Sequence, residues 1–185
     1  MIIVPFDCQL CQLYKGRTRI VPGSGNKQAK IMFIGEGPGK NEDAQGIPFV
    51  GAAGKFLDEL LDSIKLKRED VFITNIVKCR PPNNRDPLPE EVSTCSKTYL
   101  IKQIEDMNPL LIVTLGRHAM NFFFPDQKIS KVHGQWSKGR KKDGSVQNFF
   151  PMYHPAAALY NGSMREVLKA DMALIPEILK KLENE

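Results

Sequence analysis

The sequence predicts an α/β fold. Short apolar runs alternate with segments of helical period, the pattern of stacked sheet and helix layers. Most of those runs are dense in β-branched or aromatic residues, which suits parallel strands buried on both faces. No repeat or low-complexity tract breaks the alternation, and 185 residues accommodate one compact domain over 1–185.

The strand candidates are residues 30–34 (KIMFI), 71–77 (VFITNIV), 110–115 (LLIVTL) and 148–153 (NFFPMY). The last carries Pro151, which lacks an N–H and fits a strand end or an edge better than a centre. Between them, Leu57, Leu60, Leu61 and Ile64 make a stripe at i, i+3, i+4 and i+7. Pro87 and Pro89 followed by Glu90 and Glu91 open a second helix, with acidic residues at its positive end. Residues 116–124 read as a third. Leu168, Met172, Ile175, Leu179 and Leu182 mark a C-terminal helix bent near Pro176. Residues 131–140 (KVHGQWSKGR), continued by Lys141, Lys142, Asp143 and Gly144, predict a basic hairpin or loop around Trp136.

Twenty-six basic against 21 acidic residues give a net charge of +5, a balance that permits a polyanionic partner without requiring one. No apolar run is long enough to span a bilayer, and the start, MIIVPFDC, lacks the charged flank of a signal peptide. A cytoplasmic protein away from membranes is expected. In a reducing compartment, Cys8, Cys11, Cys79 and Cys95 point to thiolate–metal ligation rather than to two disulfides. Their spacing leaves zinc and an iron–sulfur cluster both open, and Cys79 and Cys95 also read as small buried residues.

The unusual residues fall just after the strand candidates. Gly35-Glu36-Gly37-Pro38-Gly39 follows the first, Asn75 and Cys79 lie near the end of the second, and His154-Pro155 follows the fourth. Loops at the carboxyl ends of parallel strands share one sheet edge and form its ligand crevice. The glycine-rich turn is not a nucleotide loop. The phosphate-loop pattern fails at Gly35 and around Gly51–Lys55, and Lys40 stands where the dinucleotide fingerprint needs its third glycine. Its glycines still suit close approach of backbone to a ligand.

Taken in order, GEGPG, GIPFVGAAGKFLDELL, TNIVKCRPP and HPAAAL, together with Cys8-x-x-Cys11, Cys79 and Cys95, resemble the iron–sulfur, thermostable-type uracil-DNA glycosylases, family four of that superfamily. The resemblance runs from Cys8 to about Asp171. It implies a three-layer α/β/α fold with a four-stranded parallel sheet, no nucleotide cofactor, and a [4Fe–4S] cluster held by Cys8, Cys11, Cys79 and Cys95. It further implies a nucleoid-associated monomer that flips uracil out of DNA and hydrolyses the glycosidic bond.

Residue by residue, the resemblance places Asn75 as the base reader. An asparagine amide can donate to uracil O4 and accept from N3–H, whereas cytosine reverses both roles. Phe49 resembles the aromatic that stacks on the base, a contact that tolerates any base and supplies no specificity. His154 and the backbone N–H groups of Glu36 and Gly37 would face the charge that develops on uracil O2. Superfamily relatives carry Asp or Asn at the Gly37 position, so no side chain there can orient water. Glu36 and Glu42 are the available carboxylates and Asn84 a further aid; Glu42 would alternatively exclude a 5-methyl group. Leu159 and Tyr160 resemble the segment that enters DNA, with Arg165 on a phosphate, although Leu159 also reads as core. His118 and His133 carry no such motif and read as structural or exposed.

Two rivals remain. A relative that traps itself covalently on DNA carries a basic, histidine-containing insertion, where residues 81–88 here read PPNNRDPL. A non-catalytic, metal-containing nucleic-acid-binding module would explain charge and cysteines. It would not explain why Asn75, His154 and the GEGPG turn meet at one sheet edge.

Overall fold

A computed structural model describes residues 4–140 and 145–184. Its strands are β1 (Ser24–Gly25), β2 (Ile31–Gly35), β3 (Phe72–Asn75), β4 (Leu111–Leu115), β5 (Ser137–Arg140) and β6 (Val146–Met152). The helices are α1 (Lys40–Gln45), α2 (Ala52–Ser63), α3 (Pro89–Cys95), α4 (Ile101–Met107), α5 (Arg117–Phe123), α6 (Ile129–Val132), α7 (Ala157–Tyr160), α8 (Ser163–Ala173) and α9 (Ile175–Leu182). A π-helical stretch, Ser96–Leu100, joins α3 to α4.

Among the described residues the sheet has six strands in the order β1-β3-β2-β4-β6-β5 and is mixed. This corrects the expectation of four parallel strands alone. β3, β2, β4 and β6 pair in parallel, while β1 and β5 add antiparallel edges. Neither edge strand has an apolar alternation to read: β1 is Ser-Gly and β5 is Ser-Lys-Gly-Arg, and backbone pairing alone recruits them. The hairpin of β5 and β6 follows a helical turn, α6, and its residues 141–144 lie outside the described ones. Pro151 falls beyond Phe149, the last β6 residue paired with β5, so its missing N–H costs that ladder nothing.

Side chains alternate across the buried strands and divide the core into two halves. Ile31, Phe33, Val113 and Phe150 pack with Phe56, Leu57, Leu60 and Leu61 of α2 and with Leu168, Met172, Ile175 and Leu182 of α8 and α9. Met32, Ile34, Phe72 and Ile112 face Leu100, Ile104 and Ala119, so helical segments cover both faces. The expected C-terminal helix is broken rather than bent, with Pro176 in the first turn of α9. Glu91, fully buried, fixes the start of α3. Its carboxylate accepts from Leu88 N at 2.8 Å and takes both Arg85 Nη atoms, at 2.9 and 2.7 Å.

One close approach controls the loop between α1 and α2. A Cβ at Gly54 would stand 1.7 Å from the carbonyl oxygen of Phe49. That carbonyl cannot retreat, because Arg68 Nη1 donates to Pro48 O at 3.0 Å and its Nη2 donates to Phe49 O. Gly54→Ala is therefore expected to destabilise by about 1–3 kcal/mol or more through overpacking. Chemical denaturation with unchanged midpoint would contradict this packing.

Candidate active site

The carboxyl ends of β2, β3 and β6 do bring the distant segments together. A cleft of about 390 Å³ is lined by Glu36, Gly37, Glu42, Phe49, Asn75 and His154, with Pro81, Asn84, Arg85 and Asp86 along another side. Two of its lining residues meet over Gly35, where a Cβ would lie 2.5 Å from Asn75 Oδ1 and 2.7 Å from Phe49 Cζ. Only a glycine lets the amide and the ring meet there. Asn75 is 1% exposed, and its Oδ1 has no hydrogen-bond partner. A buried polar atom left this way costs about 1–3 kcal/mol, and such an atom in a cleft is set to meet a ligand.

Phe49 holds a left-handed backbone, φ 54°, which a phenylalanine adopts only under constraint. Arg68 supplies one constraint and Glu42 another. Glu42 Oε1 accepts from Val50 N and Gly51 N, both at 2.8 Å, while Oε2 accepts from Gly39 N at 3.1 Å. Its carboxylate thus staples the GEGPG turn to the Phe49 loop, and both its oxygens are committed to backbone.

His154 stacks on Phe49 with centroids 5.5 Å apart and planes at 27°. Ala156 N donates to His154 Nδ1 at 3.1 Å, so in the neutral ring the proton sits on Nε2. Burial pulls its pKa down from 6.5 to about 4, against an opposing pull from Glu42. His154 is a neutral N–H donor at pH 7.

Glu36 sits beside His118 and Asp86. His118 Nε2 is 3.2 Å from Asp86 Oδ2 and 3.7 Å from Glu36 Oε2, and Arg117 Nη2 pairs with Asp86 at 2.9 Å. Burial raises the Glu36 pKa, His118 opposes that rise, and Asp86 adds to it. The histidine without a motif therefore adjoins the cleft; only its distance in sequence hid it. His133 instead pairs with Asp171 through Nδ1 and Oδ2 at 2.8 Å. Asn84 is exposed, and its Oδ1 accepts from Arg80 Nε at 2.7 Å.

Beyond His154, α7 carries Leu159 and Tyr160 outward, 46% and 90% exposed, so Leu159 is not a core residue. Arg165 is engaged with Glu59, Nη2 to Oε2 at 2.5 Å, and lies over the Phe56 ring. A phosphate would have to displace Glu59.

The four cysteines line a second, small cavity with Val4, Arg17, Ile20 and Tyr99. Several donors aim at their sulfurs, among them Lys78 N to Cys95 Sγ at 3.3 Å and Arg17 Nη1 to Cys79 Sγ at 3.5 Å. Burial pushes the thiols of Cys11 and Cys79 up and that of Cys95 up to about 11. One mononuclear zinc would draw four sulfurs to within about 3.8 Å of one another. Among the described residues, the one three-ligand group within 4.8 Å is Glu36, Asp86 and His118, with no cysteine in it. Four thiols converging on one cavity are a donor set that suits a thiolate-bound metal centre.

Fold and cleft together define an α/β protein with a polar-lined cleft at the carboxyl ends of its central parallel strands. A family model described as the uracil DNA glycosylase superfamily matches residues 22–182. A type-4 uracil-DNA glycosylase of Saccharolobus solfataricus is 51% identical over 178 residues, 93% of this chain and 82% of that protein. Those of Archaeoglobus fulgidus and Thermotoga maritima are 49% and 44% identical over 95% and 94% of this chain, and 89% and 90% of their own lengths. The chain belongs to the uracil-DNA glycosylase superfamily and, within it, to the type-4 family. Among the described residues no helix is long and apolar enough to cross a membrane.

The folded-state pKa of His154 lies below its ordinary value, so folding favours the neutral ring. That contribution is complete above pH 6.5 and is lost as pH falls toward about 4. Nitrogen chemical shifts of the imidazole should report one neutral tautomer, proton on Nε2, from about pH 8 to about pH 5. A titration midpoint near 6.5 would contradict the burial argument.

Proposed function

We propose that this chain removes uracil from DNA, cleaving the N-glycosidic bond and leaving an abasic site for base-excision repair. The observation that carries the reading is the unpartnered amide oxygen of Asn75, which lines one cleft with Phe49 and His154. The family membership supports the same chemistry.

Uracil enters the cleft edge-on to Asn75, whose amide donates to O4 and accepts from N3–H. Phe49 takes the face of the base. As the bond from C1′ to N1 breaks, electrons move onto the uracil ring and the sugar becomes oxocarbenium-like. His154 Nε2–H and the Glu36–Gly37 backbone donate to the O2 that gains charge. A neutral donor suits this step, since a preorganised dipole in a dry site stabilises developing charge without reorganising. Water then attacks C1′. Glu36, not Glu42, is the carboxylate that orients it, because both Glu42 oxygens are occupied by backbone N–H groups. Asn84 lines the same side of the cleft. Flipping the base costs a few kcal/mol of unstacking, and Leu159 and Tyr160 are exposed beside His154 to fill the gap. The protein acts as a single-domain monomer on DNA in the cytoplasm.

Cys8, Cys11, Cys79 and Cys95 hold a [4Fe–4S] cluster. Its chemistry here is structural: thiolate–iron bonds tie the N-terminal segment to the exit of β3 and to the end of α3.

Incubating the protein with uracil-containing DNA should release free uracil. His154→Ala should slow single-turnover release by roughly 10²–10³-fold with little change in DNA binding. An undiminished rate in the folded variant would misplace the site. Protein purified without oxygen should contain about four irons and four labile sulfides per chain. Stoichiometric zinc would remove the cluster.

A further inference from the structure

Lys78, in the TNIVKCRPP segment, is 1% exposed and sits between the two sites. Its Nζ lies 2.6 Å from Thr74 Oγ1, 2.7 Å from the backbone carbonyl of Asn75 and 2.8 Å from Gln103 Oε1. Each of these atoms is an acceptor toward it. Thr74 places its single proton on Pro22 O at 3.1 Å, a shorter contact than its 3.5 Å to Gln103 Oε1. Gln103 Nε2 donates to the same Pro22 carbonyl at 2.9 Å, which fixes its oxygen toward Lys78. The Asn75 carbonyl and Gln103 Oε1 can only accept, so Nζ donates to both whether it is an ammonium or an amine; burial lowers its pKa to about 7. Thr74, Asn75 and Gln103 are themselves buried.

We propose that Lys78 is a positioning residue for base recognition, holding the Asn75 carbonyl against α4 so that the Asn75 amide keeps its direction in the cleft. Lys78 itself does not line the cleft. Asn75 is the last residue of β3, where the ladder no longer fixes the chain unaided: Ile76 N and Val77 N still reach Gly35 O and Glu36 O, but the Asn75 carbonyl turns to Lys78. Gln103 on α4 and Pro22 before β1 are the fixed points against which Nζ holds the carbonyl. An amide that swings by a fraction of its hydrogen-bond cone loses one of its two contacts to the base. Lys78 therefore acts on the rate and on uracil affinity, through Asn75, without touching the substrate.

The proposal rests on Asn75 reading the base, and a double-mutant cycle separates the two. In the full chain carrying its cysteine-bound centre, Lys78→Met should slow single-turnover uracil release on the order of 10–100-fold. Free uracil should inhibit it more weakly, while affinity for abasic DNA stays near that of the wild type. In an Asn75→Ala background the same substitution should cost little more. Gln103→Leu, which keeps Lys78 and removes one anchor, should show a smaller loss with the same non-additivity, and it carries the test if Lys78→Met does not fold. Losses that multiply in the double variant, or a slow Asn75→Ala enzyme beside an unimpaired Lys78→Met or Gln103→Leu, would overturn the proposal alone. An Asn75→Ala enzyme with full activity would instead remove the base reading beneath it.

Discussion

Gly35 is where β2, the Phe49 loop and the end of β3 converge, and there is no room for a side chain. Asn75 Oδ1 and the Phe49 ring both occupy space that a Cβ would enter. The neighbouring segments are shaped by that close approach. Phe49 takes a left-handed backbone, and the loop that carries it is held by Arg68 on two carbonyls and by Glu42 on two N–H groups. Gly54 yields its own side-chain space to the Phe49 carbonyl. Local strain of this kind persists only where the surroundings over-determine it, and these contacts supply that excess.

The same economy governs charge. Recognition of a neutral base at pH 7 asks for donors and acceptors rather than full charges, and the cleft wall provides them. His154 is kept neutral by burial and aimed by the Ala156 N–H, so its donor atom is defined before a ligand arrives. The ionised groups nearest the cleft are neutralised locally: Glu42 by backbone N–H groups, Asp86 by Arg117, Glu91 by Arg85. Lys78, buried behind Asn75 with its pKa lowered to about 7 by burial, sets its Nζ among neutral oxygens. The unpartnered atom is the Asn75 amide oxygen, and it is the one a uracil N3–H would satisfy.

The parts legible in the sequence were those with a periodic or compositional signature. The four central strands, the α2 stripe and the start of α3 followed from apolar spacing and from proline and glutamate placement, within a residue or two for most boundaries. The roles of Asn75, Phe49 and His154 came from the family resemblance, and the structure brings all three to one cleft. The edge strand β1 was missed, since pairing of polar backbone leaves no apolar pattern, and β5 was legible only as one arm of the basic hairpin or loop around Trp136. Glu42 was read as a chemical group and is a staple, because a carboxylate's partners are backbone N–H groups that no motif names. Arg68, His118 and Lys78 were not assigned to the site for a related reason. Their partners lie far away in sequence or are carbonyl oxygens, which every residue possesses. Arg165 was read for its charge alone, without the Glu59 that the α2–α8 packing sets against it.

The cysteine site and the cleft are linked by the shape of one chain segment. Three residues separate Asn75 from Cys79, and residues 80–94 between Cys79 and Cys95 carry Pro81, Asn84, Arg85 and Asp86, the far wall of the cleft. That wall has little regular structure of its own: a single 3₁₀ turn, Pro82–Asn84, with Asn83 and Asn84 in left-handed conformations. Tying both ends of a loop removes the entropy of closing it, and the internal Arg85–Glu91 pair then has a short, fixed frame in which to form. A centre bound by Cys79 and Cys95 would therefore shape the substrate cleft from behind without meeting the substrate. Such a role requires an inert, permanent cross-link, and a set of buried, partly hydrogen-bonded sulfurs away from the cleft provides the setting for one.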